Sequence, residues 1–231
     1  MNYKDLLRGI TNSSAYREKE EWSNFWLDNA DREKKGKRYL LIGDSTARMV
    51  RSTFAKLTNA SVDMLGTSSA LDDILFVSQI EAFFSHSIYK YDAIFVQLGH
   101  HGRISHNGGD YTKDDYLKFE EDYLKLISFL KEQCDNIIIE SIFDSVLPIS
   151  GWFNLLLKKL CVIKEKDNER INACTTRKNE ILKNLEIYGR GGVSFLDINR
   201  LTKSKNFHHI DHIHFERKAK SFIAHEMMKL L

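Results

Sequence analysis

The sequence predicts a three-layer α/β/α sandwich around a central, mostly parallel five-stranded sheet, and three observations predict it. From Arg38 onward, short apolar runs rich in β-branched and aromatic residues alternate with longer amphipathic stretches, the rhythm that sets parallel strands in a sheet with helices on its faces. The first three strand-like runs lead into glycine, which lets a chain turn sharply at a sheet edge. A single proline, Pro148, with no low-complexity tract and no internal repeat, leaves no obvious interdomain linker.

Tyr39 to Ile42 reads as the first buried strand, Ala47 to Leu57 as a helix, Val62 to Leu65 as the second strand, and Leu71 to Phe84 as the next helix. Ala93 to Leu98 is a third strand. Asp115 to Gln133 then repeats Leu117, Phe119, Tyr123, Leu124 and Ile127 at helical spacing. Ile137 to Ile139 is a fourth strand, a helix is expected from about Glu169 to Tyr188, Val193 to Leu196 is the fifth strand, and Glu216 to Leu231 closes as a helix. The glycines at 189, 191 and 192 follow a helix and precede a strand, so they read as a helix C-cap and not as a phosphate loop, which would follow a strand and open a helix.

Two segments stand outside this rhythm. Residues 1–37 are expected to form a helical appendage, with Glu18 to Trp22 and Phe25 to Leu27 on an amphipathic helix and Asp31 to Lys37 as a charged connector; a partner-binding arm is the alternative. The stretch at about 145–166, with Trp152, Phe153, Leu155, Leu156, Leu157 and Leu160, is an aromatic-rich insertion that suits a lid, a partner surface or a core helix. The main domain is accordingly expected over 38–231.

Composition narrows the functional classes. With 34 Lys and Arg against 32 Asp and Glu, a net charge of +2 gives no global field for nucleic acid. No segment approaches the ~20 consecutive apolar residues of a membrane span, and residues 1–22 contain no apolar run of signal-peptide length, so the expectation is a cytoplasmic protein. Cys134, Cys161 and Cys174 fit neither a disulfide framework nor the close spacing of a zinc site and read as reduced and mostly structural. No cofactor is called for. Oligomeric state is left open.

The chemistry concentrates in three places. Gly43-Asp44-Ser45 lies where the first strand gives way to a helix, so the Ser45 hydroxyl sits at the carboxyl edge of the sheet beside unpaired helix amides that favour an oxyanion. The alternative is that Ser45 or Asp44 simply caps the helix. A serine nucleophile needs a base oriented by a third group, and Asp211-His212-Ile213-His214 supplies one: residues three apart on a turn share a face, so Asp211 can hold the His214 ring. His208 and His209 with these residues also raise a metal reading, although the spacing lacks a zinc signature. Finally, Gly99-His100-His101-Gly102 closes the third strand, where His101, or failing it Asn107, is the candidate side-chain donor to an oxyanion, with His106 a further polar residue.

These residues together resemble the SGNH (GDSL) hydrolase superfamily, whose four blocks are matched in order from Arg38 to the end of the chain. Gly43-Asp44-Ser45 corresponds to the nucleophile block, Gly66 in Leu65-Gly66-Thr67-Ser68 to the glycine whose amide serves the oxyanion hole, and Asp211 to His214 to the Asp-x-x-His block. The third block departs from the usual Gly-x-Asn-Asp, with His101 in place of asparagine. The resemblance implies a flavodoxin-like sheet, Ser45, His214 and Asp211 as catalytic residues, and Ser45, Gly66 and His101 around the oxyanion. It further implies Asp44, Thr67 and His100 as substrate contacts. It also implies an acyl ester of a carbohydrate or other small molecule as substrate, acetyl being the preferred acyl group. Hydrolysis and O-acyl transfer to a polysaccharide hydroxyl both remain open, as do a catalytically silent glycan-binding protein and a metal-dependent hydrolase.

Overall fold

The computed structural model describes residues 22–28, 36–87, 89–101, 111–146, 165–188, 191–211 and 213–231. Residues 1–21, 147–164 of the insertion, His106, Asn107, Cys161 and His212 lie outside the described residues. The strands are β1 (Ser23–Trp26), β2 (Arg38–Gly43), β3 (Ser61–Thr67), β4 (Ala93–Gln97), β5 (Ile137–Glu140) and β6 (Val193–Leu196). The helices are α1 (Ser45–Thr58), α2 (Ile74–His86), α3 (Lys113–Lys131), α4 (Glu165–Tyr188), α5 (Ile198–Ser204) and α6 (Arg217–Met228).

The sheet runs β1-β3-β2-β4-β5-β6. The five parallel strands match the expected runs, and a sixth, β1, is added antiparallel on the edge of β3. Ser23–Trp26 was expected in a helix and is a strand instead. Helical spacing of Trp22, Phe25 and Trp26 competes there with the strand preference of aromatic residues, and the open edge of β3 supplies partners for the backbone. Phe25 meets Phe83 edge-on at 5.7 Å, while Trp26 lies under the Arg51 guanidinium at 4.6 Å.

Alternation along the parallel strands divides the core in two. Leu40 and Ile42 of β2 join Ile80, Tyr123 and Leu182 beneath α2, α3 and α4, whereas Tyr39 and Leu41 join Phe54, Ala219 and Ile223 beneath α1 and α6. Each large side chain so buried contributes about 1.5–3 kcal/mol.

Three local features set the site. Gly43 admits α1 close to β4, because a Cβ there would lie 2.7 Å from Ala47 Cβ and 2.8 Å from the Gln97 carbonyl. Gly99 has φ +114°, and a Cβ on it would come within 2.7 Å of Ile142, so only glycine suits this turn. The chain moves outward from β2 to β3 and returns past β2 to β4, so the order reverses between β2 and β4. Ligands of open α/β sheets bind at the strand carboxyl ends beside such a reversal.

Candidate active site

Ser45 is the first residue of α1, directly after the reversal strand β2. Its amide is one of the orphan donors of a helix N-terminus. Asp44 caps the helix: its carboxylate accepts from the Thr46 amide at 2.8 Å and from the Thr46 hydroxyl at 2.6 Å, and it is 1% exposed. Gln97 at the end of β4 bonds the same Thr46 hydroxyl, so the turn carrying Ser45 is tied to two strands.

The loop before α6 brings the other end of the chain to this serine. Asp211 Oδ1 accepts from the amides of Ile213 and His214, both at 2.8 Å, which curls the loop and places the His214 ring against the same carboxylate. His214 Nδ1 lies 2.6 Å from Asp211 Oδ2, and Nε2 lies 2.8 Å from Ser45 Oγ. An ionised carboxylate only accepts, so Nδ1–H donates to Asp211 and Nε2 is left to accept from the serine hydroxyl. Burial pushes the Asp211 carboxyl up, but the His214 amide, the His214 ring and the Ile213 amide outweigh it and bring it down to about 2. The loop is closed behind by Glu216 N donating to His208 O at 3.0 Å and by the His209 ring tilted against Phe215, ring centres 4.1 Å apart. Burial lowers the pKa of His209.

The remaining sequence-predicted residues divide. Gly66 lies inside β3 and not after it, level with Gly43 of β2 and Asn24 of β1. His101 stands past the end of β4, partly exposed, its ring 6.1 Å from that of His100. Asp44, Thr67 and His100, the expected substrate contacts, are buried at 1%, 0% and 7% exposure. The Asp44 carboxylate is spent on its helix cap, and Thr67 Oγ1 bonds Gln79 and accepts from the Ser69 amide at 2.9 Å. The described residues contain no group of three or more His, Cys, Asp or Glu gathered as a metal ion requires. Nor do they contain a helix long and apolar enough to cross a membrane. Cys134 and Cys174 are buried free thiols.

Sequence reasoning missed the residues that hold the segment after β4. Tyr123 of α3 donates to the Leu98 carbonyl at 2.8 Å and accepts from the Leu98 amide at 3.1 Å, and Lys178 of α4 donates to the Gly99 carbonyl at 3.2 Å. A signal for Lys178 existed: it shares a helix face with Cys174, Ile181, Leu182 and Leu185, where a solvated lysine is out of place.

No family model matches the chain, and no curated protein matches it. Solved structures do. A protein described as an SGNH hydrolase from Slackia heliotrinireducens is 14% identical with TM-score 0.59, over 85% of this chain and 99% of that one. The catalytic domain of Streptococcus pneumoniae peptidoglycan O-acetyltransferase A is 13% identical with TM-score 0.56, over 85% and 93%. An acetylxylan esterase from Geobacillus stearothermophilus is 13% identical with TM-score 0.53, over 84% and 94%. The chain has the fold these enzymes share, that of the SGNH hydrolases.

Proposed function

We propose that this chain is a serine-dependent enzyme that cleaves an acyl ester, acetyl by preference, of a carbohydrate. The observation that carries the reading is the continuous hydrogen-bonded chain Ser45 to His214 to Asp211, built from residues 169 positions apart at its Ser45–His214 step. Helix capping by Asp44 explains the Gly-Asp-Ser turn, but capping gives no reason for an imidazole backed by a carboxylate to meet the serine hydroxyl.

In this reading Ser45 Oγ attacks the ester carbonyl as its proton passes to His214 Nε2. Asp211 keeps the ring in the tautomer that can accept and offsets the charge of the imidazolium formed. The oxyanion is met by the Ser45 amide at the N-terminus of α1, with His101 as a further donor. The C–O bond to the sugar then breaks, His214 protonates the leaving oxygen, and an acetyl-serine remains. Water, deprotonated by His214, releases acetate and restores Ser45.

A second acceptor is favoured by the likeness to peptidoglycan O-acetyltransferase A. There a sugar hydroxyl replaces water in the last step, and all earlier steps are common. The test is p-nitrophenyl acetate turnover by the unmodified protein and by Ser45→Ala and His214→Ala. Each variant is expected to lose on the order of 10³-fold or more in kcat. Turnover unchanged in both variants sinks the reading. Acetate release against acetyl transfer, measured on acetylated glycans with and without an acceptor glycan, separates hydrolase from transferase.

A further inference from the structure

The flank of the nucleophile formed by β1 and the first turn of α1 carries a cation held in place with no carboxylate partner among the described residues. Arg48 lies one turn after Ser45, and residues three apart share a helix face. Its guanidinium sits 4.8 Å from the Trp22 ring and donates to Asn24 Oδ1 at 3.3 Å. Trp22 is itself anchored, its amide donating to Ser68 Oγ at 2.7 Å and its carbonyl accepting from the Ser68 amide at 3.0 Å. The indole reaches over Gly66, where an added Cβ would lie 3.2 Å from Trp22 Cζ3, and Gly66 is level with Gly43, two residues before the nucleophile.

The neighbouring arginines show what an ordinary structural role looks like here. Arg38 forks onto the buried Asp63 carboxylate, and Arg51 donates to the Val62 carbonyl at 2.8 Å. Arg48 is exposed, and among the described residues no carboxylate pairs with it. Ordering a long side chain on an indole costs conformational entropy, and the result is a fork of N–H donors already positioned for a planar anion.

We propose that Trp22, Asn24 and Arg48 form a subsite beside Ser45 for the carboxylate of an acidic sugar, the sugar that carries the ester or accepts the acyl group. This rests on the reading of Ser45 as nucleophile for its place in the reaction, but not for binding. A guanidinium pairs a carboxylate through two parallel hydrogen bonds, and the adjoining indole offers an apolar surface to the C–H face of a pyranose ring. Neutral sugars lack the group this arginine is poised to meet.

Glucuronate, galacturonate and N-acetylneuraminate are titrated against the unmodified protein and against Arg48→Gln, beside glucose, galactose and N-acetylmannosamine as neutral counterparts. At least one acidic sugar is expected to bind about fivefold to tenfold more tightly than its counterpart, the size of a partly exposed ion pair. The preference should vanish in Arg48→Gln and shrink as salt is raised. No preference for any of the three, or a preference that persists in Arg48→Gln, overturns the proposal. Turnover of p-nitrophenyl acetate by the unmodified protein is measured alongside, so that failure of the triad and failure of this subsite are told apart.

Discussion

The ammonium of Lys178, 1% exposed in the middle of α4, donates to the carbonyl of Gly99 at 3.2 Å, and so ties a helix to the segment that carries His100 and His101. The rings of Tyr111 and Phe119 lie 4.3 and 5.0 Å from the same nitrogen. With Tyr123 bonding both backbone groups of Leu98, two helices fix consecutive residues at the end of β4.

Replacing Lys178 by methionine keeps the length of the side chain and removes the donor. The Gly99 carbonyl then loses a buried partner, which costs about 1–3 kcal/mol. Thermal unfolding should shift down by several degrees, and kcat on an ester substrate should fall about tenfold at a temperature where the variant is fully folded, with KM changing less. A variant that loses stability but keeps full kcat would limit Lys178 to a packing role.

The Asp211 to Asn change tests the orientation of the base. The amide can donate to His214 Nδ1 and so favours the tautomer with a proton on Nε2, which no longer accepts from Ser45; a kcat loss on the order of 10³- to 10⁴-fold follows. The same carboxyl gives an acid signature. Because its pKa falls to about 2 on folding, its stabilisation is complete above the unfolded value near 3.8 and is lost as pH falls toward about 2. Acid unfolding curves of Asp211→Asn should lack this part of the slope below pH 4.

Much of this site was legible in the sequence because it rests on local patterns. Gly43-Asp44-Ser45 at a strand-to-helix junction and Asp211 three residues before His214 both have short-range signatures, and the five parallel strands announce themselves as apolar runs. The backbone roles of Asp44 and Thr67 were not legible, because polar side chains at a strand end look alike in sequence whether they serve a ligand or the backbone. Strand β1 was missed for a different reason: a four-residue edge strand is too short to show a period, and its partner is about 40 residues away, Ser23 facing Thr67.

A buried carboxylate ties Asp28, just after β1, to Arg38 at the start of β2. Asp63, 0% exposed, takes a two-pronged contact from Arg38 at 2.7 and 2.9 Å, the Asp28 amide at 2.7 Å and the Tyr91 hydroxyl at 3.0 Å. Asp63→Ala leaves the arginine partly buried and uncompensated, and removing one partner of such a pair costs about 3–5 kcal/mol. Denaturant midpoints should fall accordingly. The double change Asp63→Ala with Arg38→Met should recover part of the loss, since it removes the orphaned charge; equal losses in single and double variants would show that the pair itself contributes little.

The last prediction concerns an acid that the proposed chemistry does not use. Glu140 ends β5, is 3% exposed, and has an Oε1 without a hydrogen-bond partner; with Gln97, Ala47 and Val50 it lines a cavity of about 10 Å³ behind the nucleophile turn, room for one water. Burial, and then the nearby Asp44 carboxylate, push its pKa up to about 8, so at neutral pH it is mostly protonated. A carboxyl whose pKa rises on folding stabilises fully below its unfolded value near 4.5, and that contribution is lost as pH rises toward about 8. Glu140→Gln removes the titration while keeping shape. The variant should therefore match the parent near pH 4.5 and exceed it by about 3–5 kcal/mol at pH 8. Unfolding midpoints measured at both pH values check this, and a difference between variant and parent that does not change with pH would mean that Glu140 is not the group that titrates.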